Sequence, residues 1–237
     1  MREDKGWLLA LDLSTPRGVL VLDGPAGTFQ REIEGGSRVS HLFVAADEVM
    51  SDAGIAPHEL ALLGVGRGPG SFTGVRVAVT AAKFMAVVLG VPLVAPDSLM
   101  VTAAAAAGTK ETVFAAIDAR RGEVYHALYR LDNGYPVALH QPSVSSPEIA
   151  LERIAGWGEE KDEAVVMVGT GIDAYPDMWP KGLSRLEDDL PEPRGLARLC
   201  RLAAGRGEYS DPVSLLPLYI RRPDARERYG CGEGGVE

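Results

Sequence analysis

The sequence predicts an α/β protein of two related lobes, each a mixed sheet flanked by helices, and three observations carry that expectation. An apolar strand over residues 8–13 reaches Asp12, turns, and returns over 19–22; another over 113–117 reaches Asp118, turns at Arg121 and Gly122, and returns over 124–129. The two aspartates stand at matching places, 118 − 12 = 106 residues apart, as in a duplicated half. Between them, short β-like runs alternate with longer helical patterns. The length of 237 residues suits one large domain or two of about 100 to 120, and either can bury a core.

The first half reads βββαβαβα. After the hairpin, Asp23, Gly24, Pro25 and Gly27 turn the chain into a third strand near 29–33. Ser37 offers an N-cap, and His41, Leu42, Val44, Ala45, Val49 and Met50 outline an amphipathic helix that stops at Gly54, with Pro57 beyond. A strand over 60–65 leads into Gly66-Arg67-Gly68-Pro69-Gly70 and a helix over 73–89. A short strand over 91–94 follows, then a strongly apolar helix over 98–107 closed by Gly108. The lobe boundary falls at 108–110, giving a first lobe of residues 1–108 and a second of 109–237. In the second half a third strand is expected over 137–139, a helix near 147–155, a strand over 164–168, a turn at Gly169-Thr170-Gly171 and a helix near 194–204. The tail over 215–222 is expected to be extended, and 230–237 disordered.

The glycine-rich turn and its helix organise the rest. Ser71 or Thr73 can cap the helix, and glycines such as Gly70 let backbone approach closely, so the turn suits either an anion at a helix N-terminus or close packing. It is not a Walker A loop, because no Gly-Lys-Ser/Thr follows. The helix is apolar nearly all round except along Thr73, Arg76, Thr80 and Lys83, whose spacings put them on one face. That line is either solvated or a hydrogen-bonding stripe at a contact. A helix this apolar needs cover on most sides, from its own sheet or from another chain.

Composition narrows the function. Hydrophobic residues make up 46% and charged ones 24%, ordinary for a globular protein. With 33 acidic and 24 basic residues the net charge is −9, which argues against gripping nucleic acid unaided, though not against a subunit whose partner does so. No run of about 20 uninterrupted apolar residues and no basic-then-apolar leader is present, so no membrane association and a cytoplasmic location are expected. Two cysteines, Cys200 and Cys231, are too few for a disulfide framework, and His41, His58, His126 and His140 lack metal-pair spacing; no metal site is expected. Asp12 and Asp118 at strand ends beside an interlobe cleft are where a metal-phosphate or a general base would stand, or else caps of their own turns. Arg120, Arg121 and Glu123 could hold a phosphate or one another. Gly70-Ser71-Phe72-Thr73-Gly74 does not form a Gly-x-Ser-x-Gly elbow, and no triad partners can be assigned to Ser71.

Asp12-Leu13-Ser14-Thr15, Gly68-Pro69-Gly70-Ser71-Phe72-Thr73-Gly74-Val75-Arg76, Ala82-Lys83, Pro92-Leu93-Val94 and Ile117-Asp118-Ala119-Arg120-Arg121-Gly122-Glu123-Val124-Tyr125 occur in an order that resembles the TsaB (YeaZ) family of the TsaD-related, glycoprotease-like superfamily. The resemblance covers about the first 130 residues. It implies an actin/Hsp70/sugar-kinase-like (ribonuclease H-like) fold and a non-catalytic subunit in bacterial tRNA threonylcarbamoyladenosine synthesis. Its partners would be the catalytic subunit TsaD, which carries a metal and transfers the threonylcarbamoyl group to N6 of adenosine 37, and the small ATPase TsaE. A homodimer is implied for the chain alone, and tRNA contact only through the complex.

The metal-binding His-x-x-x-His of the catalytic relative falls here on Ser98 and Thr102, which cannot replace two imidazoles. The family's His-Ser-Glu is here His41-Leu42-Phe43. No catalytic residue and no tightly bound cofactor are expected, with ATP, ADP and magnesium entering at the level of the complex. The partner or dimer interface is expected on the helices over 73–89 and 98–107, at Thr73, Arg76, Val79, Thr80, Ala82, Lys83, Ala86, Ser98 and Thr102. Asp12, Ser14, Thr15, Gly70, Ser71, Asp118 and Arg120 are the expected anion or nucleotide contacts. The competing expectation is a small-molecule, ATP-dependent kinase of the same fold class, using Asp12 or Asp118 with magnesium.

Overall fold

A computed structural model of the chain describes residues 6–34, 39–106, 112–161, 165–180, 184–186 and 193–221. The expected cap at Ser37, the boundary at 108–110 and the tail over 230–237 lie outside them.

Strand β1 (Trp7–Asp12) is buried along its whole length, which explains why it reads as a continuous apolar run rather than an alternating one. It pairs antiparallel with β2 (Arg17–Gly24), which pairs antiparallel with β3 (Gly27–Glu34). Helix α1 (Val39–Ala53) crosses to β4 (Leu60–Val65), parallel to β1. Helix α2 (Phe72–Leu89) crosses to β5 (Leu93–Val94), parallel to β4. Helix α3 (Ser98–Ala103) follows.

The second sheet repeats the plan. β6 (Thr112–Arg120) is the buried central strand, antiparallel to β7 (Glu123–Asp132), which carries β8 (Tyr135–Ser145) at its side. Helix α4 (Pro147–Lys161) leads to β9 (Val165–Val168), parallel to β6, and α5 (Thr170–Ala174) leads towards β10 (Ser184–Arg185), parallel to β9. The strand order β3-β2-β1-β4-β5 therefore recurs as β8-β7-β6-β9-β10. The register matches as well: Asp12 pairs with Val19 and Asp118 with Val124, each at the corner of its hairpin.

From helix α6 (Pro193–Gly205) onward the chain leaves the second lobe, to which its sequence position assigned it. Leu196, Leu199 and Cys200 pack with Leu8, Ala10 and Leu62 on the first sheet, and β11 (Tyr209–Ser210) pairs with β5 at that sheet's edge. Local patterning specifies that α6 needs a sheet but not which one.

The result is a layered stack. α1 and α2 cover one face of the first sheet, α6 and α3 fill the space between the sheets, and α4 and α5 cover the far face of the second. α3 serves both lobes: Val101 faces the first sheet's core while Leu99 and Ala103 belong to the second's. Residues 211–221 carry no regular element and run as a strap back along α2 to the β6–β7 hairpin.

Candidate functional site: the interlobe cleft and the outer helix face

The glycine-rich loop over 66–71 is built around contacts with the β1–β2 corner. Gly66 has no side chain because a Cβ there would stand 2.0 Å from Asp12 Oδ2. Gly70 (φ +152°) passes so close to the corner that a Cβ would lie 2.3 Å from the Ser14 carbonyl oxygen. The Ser71 amide donates to Ser14 O at 2.7 Å, and Ser71 Oγ accepts from the Gly74 amide at 3.2 Å, capping α2. The Gly68 amide donates to Ser98 Oγ at 3.0 Å. The amides of Gly68, Ser71 and Gly74 are thus satisfied by protein acceptors, as in the packing version of this turn.

Asp12 does not face the cleft. It is fully buried beneath that loop, its Oδ1 accepting the Ser14 amide at 2.7 Å and its Oδ2 without a hydrogen-bond partner. Burial pushes its carboxyl up from the ordinary carboxylate value, and Ser14 and Ser98 oppose this only in part. Asp118, at the matching corner, does line the cleft. Its Oδ1 accepts the Arg120 amide at 2.8 Å and the Tyr175 hydroxyl at 3.3 Å, and its Oδ2 lies 3.1 Å from Arg120 Nη1. Both aspartates cap their own turns; the second alone is accessible.

Between the two corners lies a cleft of about 1130 Å³. Ser14, Thr15, Pro16, Gly70, Ser71 and the first turn of α2 form one wall. Asp118 to Arg121, Tyr125, Thr170 and Asp173 form the other. The strap closes one side with Leu218, Tyr219 and Arg221. The Leu218 amide donates to Arg67 O at 2.7 Å in the first lobe, while Arg221 donates to Ala119 O at 2.9 Å and pairs with Glu123 in the second. Of the residues expected to contact an anion, Ser14, Thr15, Gly70, Ser71, Asp118 and Arg120 come together here, without Asp12. Sequence reasoning missed Phe72, Tyr219 and Arg221, because the strap's return over a distance of about 140 residues leaves no local signal.

The helix face differs from expectation in a way that matters. Val79, Ala82 and Ala86 are at most 2% exposed, buried with Val75, Ala78 and Met85 against the first sheet, so they hold the lobe together and cannot meet a partner. Ser98 and Thr102 are buried too: Thr102 Oγ1 donates to Ser98 O at 2.8 Å, and Ser98 Oγ holds the glycine loop. α3 is inside the molecule and is not half of an exposed helix pair. Thr73, Arg76 and Thr80 are exposed as expected. Lys83 is half-buried, its Nζ donating to Leu215 O on the strap at 2.7 Å.

Beyond Thr80, what α2 exposes is apolar. Phe84 (60%), Val87 (60%) and Val88 (63%) are exposed along its second half, and Phe43 of α1 meets Phe84 edge to face with ring centroids 6.3 Å apart; Val44, next to Phe43, is 56% exposed. The signal was present: the polar line 73, 76, 80, 83 continued by four residues lands on Val87. α2 is long and apolar enough to cross a membrane by length and composition, yet its inner face is packed on β1, β4 and β5.

Duplicated lobes with a shared strand order, hairpin corners facing a cleft and a strap across it define a protein of the actin/Hsp70/sugar-kinase-like class, with ribonuclease H-like lobes. The family model described as "TsaD: tRNA N6-adenosine threonylcarbamoyltransferase" matches residues 37–201. The tRNA threonylcarbamoyladenosine biosynthesis protein TsaB of Bacillus subtilis is 32% identical over 78% of this chain and 80% of that protein. That of Escherichia coli is 34% identical over 73% of this chain and 76% of its own. The solved structure of YeaZ from Pseudomonas aeruginosa superposes with a TM-score of 0.79 at 30% identity, covering 91% of this chain and all of that one. The chain belongs to the TsaB (YeaZ) family, whose relatives are named for tRNA threonylcarbamoyladenosine biosynthesis.

Proposed function

We propose that this chain is a non-catalytic subunit that binds and activates the threonylcarbamoyltransferase TsaD, in a complex modifying N6 of adenosine 37 in tRNA with TsaE as supporting ATPase. The observation that carries this reading is the exposed apolar edge of α1 and α2, formed by Phe43, Val44, Phe84, Val87 and Val88. Large apolar side chains grouped on one face favour a protein partner, because association removes them from water. A related lobe in TsaD, or in a second copy of this chain, offers a matching helix pair, giving a four-helix contact. ATP, ADP and magnesium enter only at the level of the complex, a reading supported by the Gly68, Ser71 and Gly74 amides, which already have protein acceptors. The same observation weighs against the kinase reading, for which Asp118 is the one accessible corner carboxylate.

Size-exclusion chromatography with light scattering, on the chain alone and mixed with its host's TsaD, tests this. Val87→Glu is expected to weaken the heterodimer by at least about 30-fold, since a central contact residue contributes 2 kcal/mol or more. If the variant still assembles and supports tRNA modification as the wild type does, the reading is wrong.

A further inference from the structure

The cleft mouth carries a feature that the scaffold role does not use. Phe72 and Tyr219 are 59% and 48% exposed, with ring centroids 5.7 Å apart. The Arg76 guanidinium lies 3.6 Å over the Phe72 ring and 5.6 Å from the Tyr219 ring, and its Nε donates to the Tyr219 hydroxyl at 2.6 Å. These three side chains pack on one another, the two rings inclined at 40°, and keep an exposed outer side. Such a surface stacks a planar π-system at little conformational cost.

A second cationic element faces it. At the tip of the β6–β7 hairpin, Arg120 (φ +62°) and Arg121 (φ +58°) both hold left-handed backbone, a conformation that costs a non-glycine residue about 1 kcal/mol or more. The strap sets the two elements close together: Tyr219 belongs to the stack, and Arg221, two residues on, donates to Ala119 O at the hairpin. Two residues of chain span at most about 7 Å. This cationic, aromatic mouth belongs to a chain whose net charge is −9.

We propose that the cleft mouth binds an unpaired nucleobase of RNA on the Phe72–Arg76–Tyr219 surface, with the adjoining phosphate at the Arg120–Arg121 hairpin. Choosing RNA over a free nucleotide rests on the tRNA-modification reading and on a structural point. A polyphosphate is held by clustered backbone amides, and those of Gly68, Ser71 and Gly74 are engaged, whereas a single diester phosphate can share the Arg120 guanidinium, which pairs with Asp118 yet keeps 72% of its side chain exposed. The net charge of −9 disfavours an extended RNA track, so the contact is one or two nucleotides, weak alone and adding to that of a partner holding the rest of the RNA.

The test uses the full chain titrated into a single-stranded heptaribonucleotide carrying one 2-aminopurine among uridines, at low salt. Wild type is expected to quench the fluorophore as the base stacks. Phe72→Ala and Arg76→Ala should each weaken binding about tenfold or more, Phe72→Tyr should keep it, and ATP with magnesium should not compete. Absence of quenching, equal binding by Phe72→Ala, or displacement of the RNA by ATP at concentrations comparable to the oligonucleotide would each overturn the proposal. Val87→Glu separates the two readings, because Val87 lies 15 residues along α2 from Phe72, about 22 Å away. Lost RNA binding with an intact TsaD complex removes this inference alone; a lost complex with intact RNA binding leaves the mouth in place.

Discussion

Gly74→Ala makes the packing of the organising loop measurable, because two effects predict opposite signs. Gly74 sits in the first turn of α2, where replacing glycine by alanine ordinarily stabilises a helix by about 1 kcal/mol. Here a Cβ would stand 2.0 Å from the Leu13 carbonyl oxygen and 3.1 Å from its carbon. Both clashing groups are backbone, so relief requires the helix and the β1–β2 corner to separate by about 1 Å. That movement would also disturb the Ser71–Ser14 bond and the Ser71 cap. Overpacking of this kind costs about 1–3 kcal/mol, and the lost cap about 1 more. The net expectation is destabilisation by about 2 kcal/mol, a fall in Tm of about 4–8 °C for a chain of this size. Gly156→Ala in α4 is the control: nothing lies within 4 Å of its Cβ position, so the propensity gain should appear undiminished. Urea denaturation of both variants measures the difference, expected to be about 3 kcal/mol. If Gly74→Ala is as stable as wild type, the loop is not held against the corner as described.

Two further predictions concern buried titratable groups. His126 is buried between Ser143 and Ser145, its Nε2 2.9 Å from Ser145 Oγ, and burial, with smaller contributions from Arg153 and His140, pulls its pKa down to about 4. The unfolded chain therefore takes up a proton at this site before the folded one does. Stability should be complete above about pH 6.5 and fall towards pH 4, by about 2–3 kcal/mol in total, and His126→Gln should flatten that part of a stability-versus-pH curve. Asp12 is the opposite case: its raised pKa means that ionising it opposes folding. Asp12→Asn, which keeps an acceptor for the Ser14 amide, should raise Tm at pH 7, with the gain disappearing once the pH drops below the unfolded carboxyl's ordinary value of 3.8; a lower Tm at pH 7 would contradict the assignment.

Much of the architecture was legible because it rests on short-range chemistry. The hairpins, their corner aspartates and the 106-residue repeat follow from apolar runs and turn residues, and both β1 and β6 read as unbroken apolar strands because helices cover both faces of their sheets. The site was less legible, for two physical reasons. On a helix apolar nearly all round, periodicity does not distinguish the buried side from the exposed one, so Val79 and Ala82 looked as available as Phe84 and Val87. Val44 was similarly counted with the core face of α1, although it is 56% exposed. The strap and α6 return to the first lobe through contacts more than 100 residues apart, which composition and spacing do not encode.

The two halves of the fold have kept one topology while their corners have acquired different work. In the first lobe the corner is closed: Asp12 is buried, Gly66 and Gly70 admit no side chain, and Ser14 accepts the Ser71 amide. In the second it is open, with Asp118 reachable and two arginines held at positive φ on the hairpin tip. Clustered free amides are what grips a polyphosphate, and the Ser71 amide at the first corner is already engaged. The closed corner also fixes the N-terminus of α2, and so the direction of the apolar edge that helix presents. On the proposed scaffold reading, the contacts that shut the first corner would also hold α2 still for its partner.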